Sequence, residues 1–172
     1  FVPLATTEGA LVASVNRGCR AIADSGGVVV YADKKGMTRG PVFVTGSLAE
    51  SKKLAEWIRK HESVIKKTGE ATSSHVRLNE ITITMLSAYV FVRFSFDTAD
   101  AMGMNMVTIA TQAIAALIEE KTGARCLSVA GNFDSDKKPA WLNFINNRGF
   151  AAWAEVIVKQ DTVKKILKTT PE

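Results

Sequence analysis

Residues 76–96 carry the pattern that most restricts what this chain can fold into. Val76, Leu78, Ile81, Ile83 and Met85 alternate with more polar neighbours, Ser87-Ala88 interrupts, and Tyr89 begins a second strand-like run that ends at Phe96. A period of two places alternate side chains on one face, so the pattern predicts two antiparallel strands joined by a tight turn. The phase slips at Asn79-Glu80, which predicts a β-bulge. An isolated hairpin is marginal in water, so its apolar face must be covered by other elements.

The flanking sequence supplies that cover. Residues 41–45 read as a short strand. Ser47 and Glu50 form a capping-box pattern that opens a helix running to about residue 67. A second helix is expected over residues 103–121, ended by Gly123, and a last strand over 125–130. The resulting β-α-β-β-α-β order is the ferredoxin-like arrangement, an α+β fold with both crossover helices on one face of an antiparallel sheet.

Outside this unit the pattern changes. Thr6 and Thr7 offer cap oxygens to a helix over residues 8–23, whose expected buried stripe is Leu11, Val12, Val15, Cys19 and Ile22. Gly26-Gly27 stops it, residues 28–31 read as a strand, and Lys34-Lys35-Gly36 reads as a turn. After Ala130 come a loop over 131–136, a short helix over 139–147, a strand over 150–159 and a final helix capped by Asp161. The expected organisation is therefore a small domain, residues 41–128, between two pieces of a larger one, residues 1–40 and 129–172. Pieces of ~40 residues rarely close a core alone, which leads to the expectation of further chain.

Composition narrows the function classes. Hydrophobic residues make up 47% and charged residues 23%, as in a soluble globular protein. No apolar run reaches the roughly 18 residues of a membrane span and no signal-peptide layout is present. The expected location is cytoplasmic, or cytosol-facing if an anchor lies upstream. Cys19 and Cys126 lack metal-ligand spacing and read as buried reduced thiols, and His61 and His75 form no obvious site, so no metal is expected. The net charge of +5 suits polyanionic ligands. One reading of that charge is an RNA-recognition module, since Phe91-Val92-Arg93-Phe94 sits on the third strand of such a fold. The aromatic strand lacks that module's Lys-Gly beginning, and nucleic acid is not the expected partner.

Four segments carry chemistry. They are Thr6-Thr7-Glu8-Gly9 leading to Asn16-Arg17-Gly18-Cys19-Arg20; Gly36-Met37-Thr38-Arg39-Gly40-Pro41; Asp100-Ala101-Met102-Gly103-Met104-Asn105-Met106; and Gly131-Asn132 with Asp136-Lys137-Lys138-Pro139-Ala140. Read alone, each has an ordinary explanation: a surface carboxylate at a helix start, solvated lysines in a loop, a core methionine cluster. Together, in this order and spacing, they resemble the signatures of 3-hydroxy-3-methylglutaryl-CoA reductases, across essentially the whole chain.

The resemblance implies an oxidoreductase of the mevalonate pathway, reducing 3-hydroxy-3-methylglutaryl-CoA to mevalonate by two hydride transfers from NADPH. Glu8 matches a catalytic glutamate, a role that requires a raised pKa of the kind burial supplies. Lys137 matches the lysine that stabilises the developing oxyanion. Arg39, Asp136 and Lys138 match residues that meet the hydroxymethylglutaryl group, Arg39 through a forked two-bond contact. Ser14, Asn16, Arg17 and Arg20 match the coenzyme A region. Asp100, Met102, Gly103, Met104 and Asn105 match the dinucleotide-binding motif, which is not a Rossmann fingerprint but places Gly103 where a phosphate can approach a helix start. Ser73 is a further cofactor candidate.

Departures from the family pattern qualify those implications. Ala130 stands where a substrate-binding serine is common, so that contact has no counterpart here. Thr72-Ser73-Ser74-His75 occupies a stretch that often carries a cofactor-binding arginine, which makes NADH use an alternative to NADPH. The family's catalytic aspartate and histidine, and its upstream dimerisation segment, match nothing in the sequence. Active sites of the family form between subunits of a homodimer or higher oligomer. The expectation is thus a fragment inactive alone, with an isolated cofactor-binding fragment as the alternative.

Overall fold

The structure, a computed structural model, describes residues 1–171. The chain divides into two compact units, Lys34–Ala151 and a second formed by Phe1–Asp33 with the chain from Ala152 onward.

In the first unit, β4 (Tyr89–Asp97) organises an antiparallel sheet. Along one edge it pairs with β3 (Arg77–Leu86), from Arg77 opposite Asp97 to Leu86 opposite Tyr89. The register shifts between Leu78 and Glu80, so the expected bulge falls at Asn79. The turn at Ser87 takes a positive φ of 54°. The other edge of β4 takes β2 (Val42–Val44), with Val42 opposite Phe91, and then the end of β1 (Val29–Arg39), with Arg39 opposite Phe94. β5 (Arg125–Ser128) pairs antiparallel with β2. The order is therefore β5-β2-β4-β3.

Alternation along β4 sends Val90, Val92, Phe94 and Phe96 into one core with helices α2 (Leu48–Lys60), α3 (Glu62–Glu70) and α4 (Met104–Thr122). Leu54, Ile58, Ile65, Val107, Ile114 and Ile118 meet them there, all nearly or fully inaccessible. Each such side chain contributes about 1.5–3 kcal/mol of burial free energy. The opposite face of β4 is not a free aromatic platform. Phe91 packs on Phe133 at 5.2 Å, and Arg93 and Ser95 are buried.

Three local expectations need correction. The helix expected over 47–67 is two helices broken at His61, whose backbone N–H donates to Trp57 and Ile58 carbonyls and whose ring stacks on Trp57 at 4.4 Å. The break brings Ile65 into the same core as Ile58. Ser47 caps α2 as expected, but the Glu50 carboxylate accepts from Gly46 N–H at 2.6 Å, one residue earlier than a reciprocal box. Lys34-Lys35-Gly36 is not a turn; it lies within β1. Gly36, at φ 88°, bends the strand so closely over β4 that a Cβ there would stand 2.6 Å from the Phe96 carbonyl oxygen. These contacts, and the loop after β5, belong to the compact unit Lys34–Ala151.

The second unit contains α1 (Gly9–Ser25), the start of β1, the end of β6 (Gly149–Glu155), α6 (Gln160–Thr162) and a π-helical segment, Val163–Leu167. Thr162 Oγ1 donates to Asp24 at 2.5 Å and Lys159 N–H to Ser25 Oγ, tying α6 to the end of α1. Tyr31 and Trp153 pack at 5.4 Å. The expected stripe on α1 is not buried: Leu11, Val12, Val15 and Cys19 are exposed and Ala21 alone in that helix is buried. Neither Thr6 nor Thr7 caps α1. Glu8 holds the cap position, and its N–H donates to Thr6 Oγ1 at 3.0 Å. Asp161 does not cap α6 either; Lys159 is the cap residue, and Asp161 pairs with Lys165 one turn on. The short helix α5 spans only Trp141–Asn146. Among the described residues no helix is long and apolar enough to cross a membrane, and no cluster of potential metal ligands occurs.

Candidate functional site

Where β1 gives way to β2, at Gly40-Pro41, the loop 131–138 lies against the chain. Gly131 N–H donates to the Gly40 carbonyl at 2.7 Å and Thr38 Oγ1 donates to the Asp134 carbonyl at 2.9 Å. The approach is tight enough that a Cβ on Gly40 would lie 2.6 Å from Asp134 N. Asp134, whose side chain is 4% exposed, takes an ion pair from Arg39 Nη1 at 2.7 Å. Arg39 Nε donates to Thr108 Oγ1 at 3.0 Å. Two of the five N–H donors of the Arg39 guanidinium are thus committed within the protein, which leaves one on Nη1 and both on Nη2.

Asp136 accepts from Arg148 Nη2 at 3.0 Å. Lys138 Nζ donates to Asn132 Oδ1. Asn143 of α5 donates to the carbonyls of Ser135 and Lys138 at 3.1 and 3.2 Å, holding the loop from its far side. Lys137 is exposed and left-handed, at φ 53°. Its ammonium is free of ion pairs and hydrogen bonds among the described residues. The structure therefore sets the loop that carries Asp136, Lys137 and Lys138 against the end of β1 that carries Arg39, with Asp134 and Arg148 making the contacts between them.

Nearby, Arg93 donates to the Asn147 carbonyl at 3.0 Å, while its Nε has no hydrogen-bond partner. Burial pushes the Arg93 pKa below the usual arginine value; the Glu80 charge opposes that and the Arg148 charge adds to it. The loop and the strands beside it carry Arg39, Arg93, Lys137, Lys138 and Arg148 against Asp134 and Asp136, an excess of positive charge that attracts an anion.

The segment after β4 forms the second part of the site. Lys34 Nζ bonds the Asp97 carboxylate at 2.6 Å and the Ala99 carbonyl at 2.7 Å. The Lys34 hydrogen bond holds Asp97 below the usual carboxylate range. Thr98 Oγ1 donates to the Ala101 carbonyl. Gly103, at φ 80°, precedes α4 without a side-chain cap, so the first amides of a 19-residue helix remain open to an anion. A Cβ at Gly103 would collide with the Thr98 side chain; packing against Thr98 as well as backbone conformation requires the glycine. Asp100 and Met102 line a cleft of about 590 Å³ with Lys34, Gly36 and Phe150. Met104 is buried at the helix start, and Asn105 is exposed. Ser73 bonds His75 N–H within its own turn. That turn precedes Arg77, which pairs with Asp97, so it lies at the same end of the sheet.

In the other unit, Asn16, Arg17 and Arg20 line a cleft of about 470 Å³ together with Asp24, Lys165 and Lys168. Ser14 is exposed on α1 but does not line it, and Glu8 is exposed at the α1 start rather than buried. Sequence reasoning missed Lys165 and Lys168, whose spacing after Asp161 was the available signal. It also missed Asp134 and Arg148. The Asp-Ser-Asp run was readable, but nothing local ties Arg148 to residues more than a hundred positions earlier.

A model of the hydroxymethylglutaryl-coenzyme A reductase family matches residues 1–172. The 3-hydroxy-3-methylglutaryl-coenzyme A reductase of Haloferax volcanii is 45% identical over 172 residues, covering 100% of this chain and 43% of the relative. That of Methanothermobacter thermautotrophicus is 47% identical over 173 residues, covering 100% and 44%. The Schizosaccharomyces pombe enzyme of the same name is 40% identical over 177 residues, covering 100% and 17%. The chain thus spans less than half the length of these relatives. Among solved structures, the class II 3-hydroxy-3-methylglutaryl-CoA reductase from Streptococcus pneumoniae bound to NADPH in open conformations superposes with a TM-score of 0.63 at 18% identity, covering 76% of this chain and 37% of that one. That likeness bears on the fold, an α+β arrangement with an antiparallel sheet.

Proposed function

Because the chain belongs to the hydroxymethylglutaryl-coenzyme A reductase family, we propose that it carries working parts of a site that reduces 3-hydroxy-3-methylglutaryl-CoA to mevalonate and free CoA. Two hydrides reach the thioester carbon in succession, passing through a hemithioacetal and mevaldehyde, with two protons taken up. NADPH supplies the hydride, and NADH is the alternative donor.

The observation that carries this reading is the packing of the loop that bears Asp136, Lys137 and Lys138 against the end of β1 that bears Arg39. The free Lys137 ammonium meets the oxygen anion that forms as the carbonyl is reduced. Arg39, through its uncommitted donors, and Lys138 hold the substrate carboxylate, and Asp136 meets the same portion of the substrate. Glu8 moves the proton to the carbonyl oxygen. Ser14, Asn16, Arg17 and Arg20 meet coenzyme A, a role favoured by the cationic cleft that three of them line.

Asp100, Met102, Gly103, Met104, Asn105 and Ser73 are assigned to the cofactor. The open helix start suits a phosphate, and the cleft at Asp100 and Met102 accommodates part of a dinucleotide. The antiparallel β5-β2-β4-β3 order supports reading residues 41–128 as a ferredoxin-like, cofactor-binding domain, with residues 1–40 and 129–172 assigned to a larger substrate-binding domain. A homo-oligomer that shares its active sites between subunits is part of the same reading.

The test is loss of NADPH absorbance when 3-hydroxy-3-methylglutaryl-CoA is added to the full-length protein, beside its Lys137→Ala variant. The expected result is mevalonate formation that falls roughly 100-fold or more in the variant, the scale of losing one oxyanion-stabilising group. Turnover that survives the substitution removes Lys137 from the mechanism.

A further inference from the structure

Arg148 touches three segments that the proposed function assigns to three different tasks. Its Nε donates to Thr38 Oγ1 at 2.9 Å, beside Arg39 on β1. Its Nη2 pairs with Asp136 Oδ1 at 3.0 Å, next to Lys137 in the loop, and also lies 3.0 Å from Met104 Sδ, the first residue of α4. The Arg148 side chain is 15% exposed, and Thr38 and Met104 are buried. One rigid, planar cation therefore ties the substrate strand, the catalytic loop and the helix start of the cofactor segment together.

The surroundings fix that cation. Asn147, at φ 57°, precedes it and gives its carbonyl to Arg93. Thr38 relays the contact, since its hydroxyl accepts from Arg148 and donates to the Asp134 carbonyl. A lysine has no planar fork and cannot make divergent hydrogen bonds at fixed angles. A charge at this position alone is not equivalent.

We infer that Arg148 is a positioning residue that couples the loop carrying Lys137 to the helix start that receives the cofactor, so that occupation of one is felt at the other. This rests on the proposed function. Coupling through one shared side chain has a definite consequence: a ligand that moves Asp136 shifts Arg148, and Arg148 carries the change to Met104. Its removal leaves each part in place but uncouples them, so the catalytic constant falls more than either Michaelis constant rises.

The test uses the full-length protein with labelled methionine methyl groups and backbone amides, titrated with 3-hydroxy-3-methylglutarate. In the unsubstituted chain the acid is expected to shift the Lys137 and Lys138 amides and the Met104 methyl signal together. In Arg148→Lys the amide shifts remain and the Met104 shift falls at least fourfold. An undiminished Met104 shift overturns the inference. If the acid moves none of these signals in the unsubstituted chain, the functional reading fails, and the inference falls with it. Should Arg148→Lys unfold, Met104→Leu keeps the volume and removes the sulfur acceptor, and the same comparison is read at the Asn105 amide; a response there equal to the unsubstituted chain's again overturns the inference.

Discussion

Helices α1 and α4 are close in length and both rich in apolar residues, yet they end in different circumstances. α4 buries seven residues, Met104, Val107, Ala110, Thr111, Ile114, Ala115 and Ile118. α1 buries only Ala21 and leaves Leu11, Val12 and Val15 between 39% and 45% exposed. The difference teaches that apolar periodicity identifies a face and not what covers it. α4 meets a sheet and α3 within its own unit. α1 meets α6 and its cap residue Lys159 through polar contacts at Asp24 and Ser25.

The largest effect that would sharpen this contrast lies in the core. Ile114→Ala should cost about 4 kcal/mol, the scale of a large-to-small change at a fully buried site. Val12→Ala on α1 should stay within about 0.5 kcal/mol. Denaturant unfolding measures both, and equal losses would mean that the α1 face is covered in solution. Asp134→Ala should cost about 3 kcal/mol, because it strands the Arg39 guanidinium in a site only 16% exposed.

Two glycines extend the comparison to the backbone. Gly36→Ala should destabilise by about 2 kcal/mol, since the new Cβ meets the Phe96 carbonyl and φ is positive. Gly18→Ala, inside α1 with no neighbour within 4 Å, should stabilise by about 0.5–1 kcal/mol. Thermal melts of the two variants should therefore move in opposite directions.

The smallest effect is a pH dependence. Lys34 lowers the Asp97 pKa in the folded chain, so the pair adds stability above the unfolded value of about 3.9. That increment is lost as pH falls through the folded value. The pair is half exposed, so the contribution stays below about 1 kcal/mol. Asp97→Asn should flatten this part of the stability curve between neutral pH and pH 3, and an unchanged curve would show that the pair contributes nothing.

Much of the small unit was legible in sequence because its signals were local. The Asn79 bulge, the Ser87 turn and the Gly123 stop each announce themselves within a few residues. Gly36 was misread because a turn-like triplet can also bend a strand, and only the close Phe96 carbonyl decides between them. The break at His61 was hidden because helical periodicity continues across it. For the site, the motif residues Arg39 and Asp136 to Lys138 could be found from spacing, and their convergence could not. Asp134 and Arg148 carry no local pattern; they acquire meaning only when β1 and the loop meet.

The decisive measurement is the amide map of the full-length protein with 3-hydroxy-3-methylglutaryl-CoA. Shifts are expected to concentrate at Arg39, at Asp136 to Lys138, and at Asn16, Arg17 and Arg20. Shifts confined to the separate cleft of about 350 Å³ between Trp57 and Arg125, or no shifts at all, would contradict the proposed function.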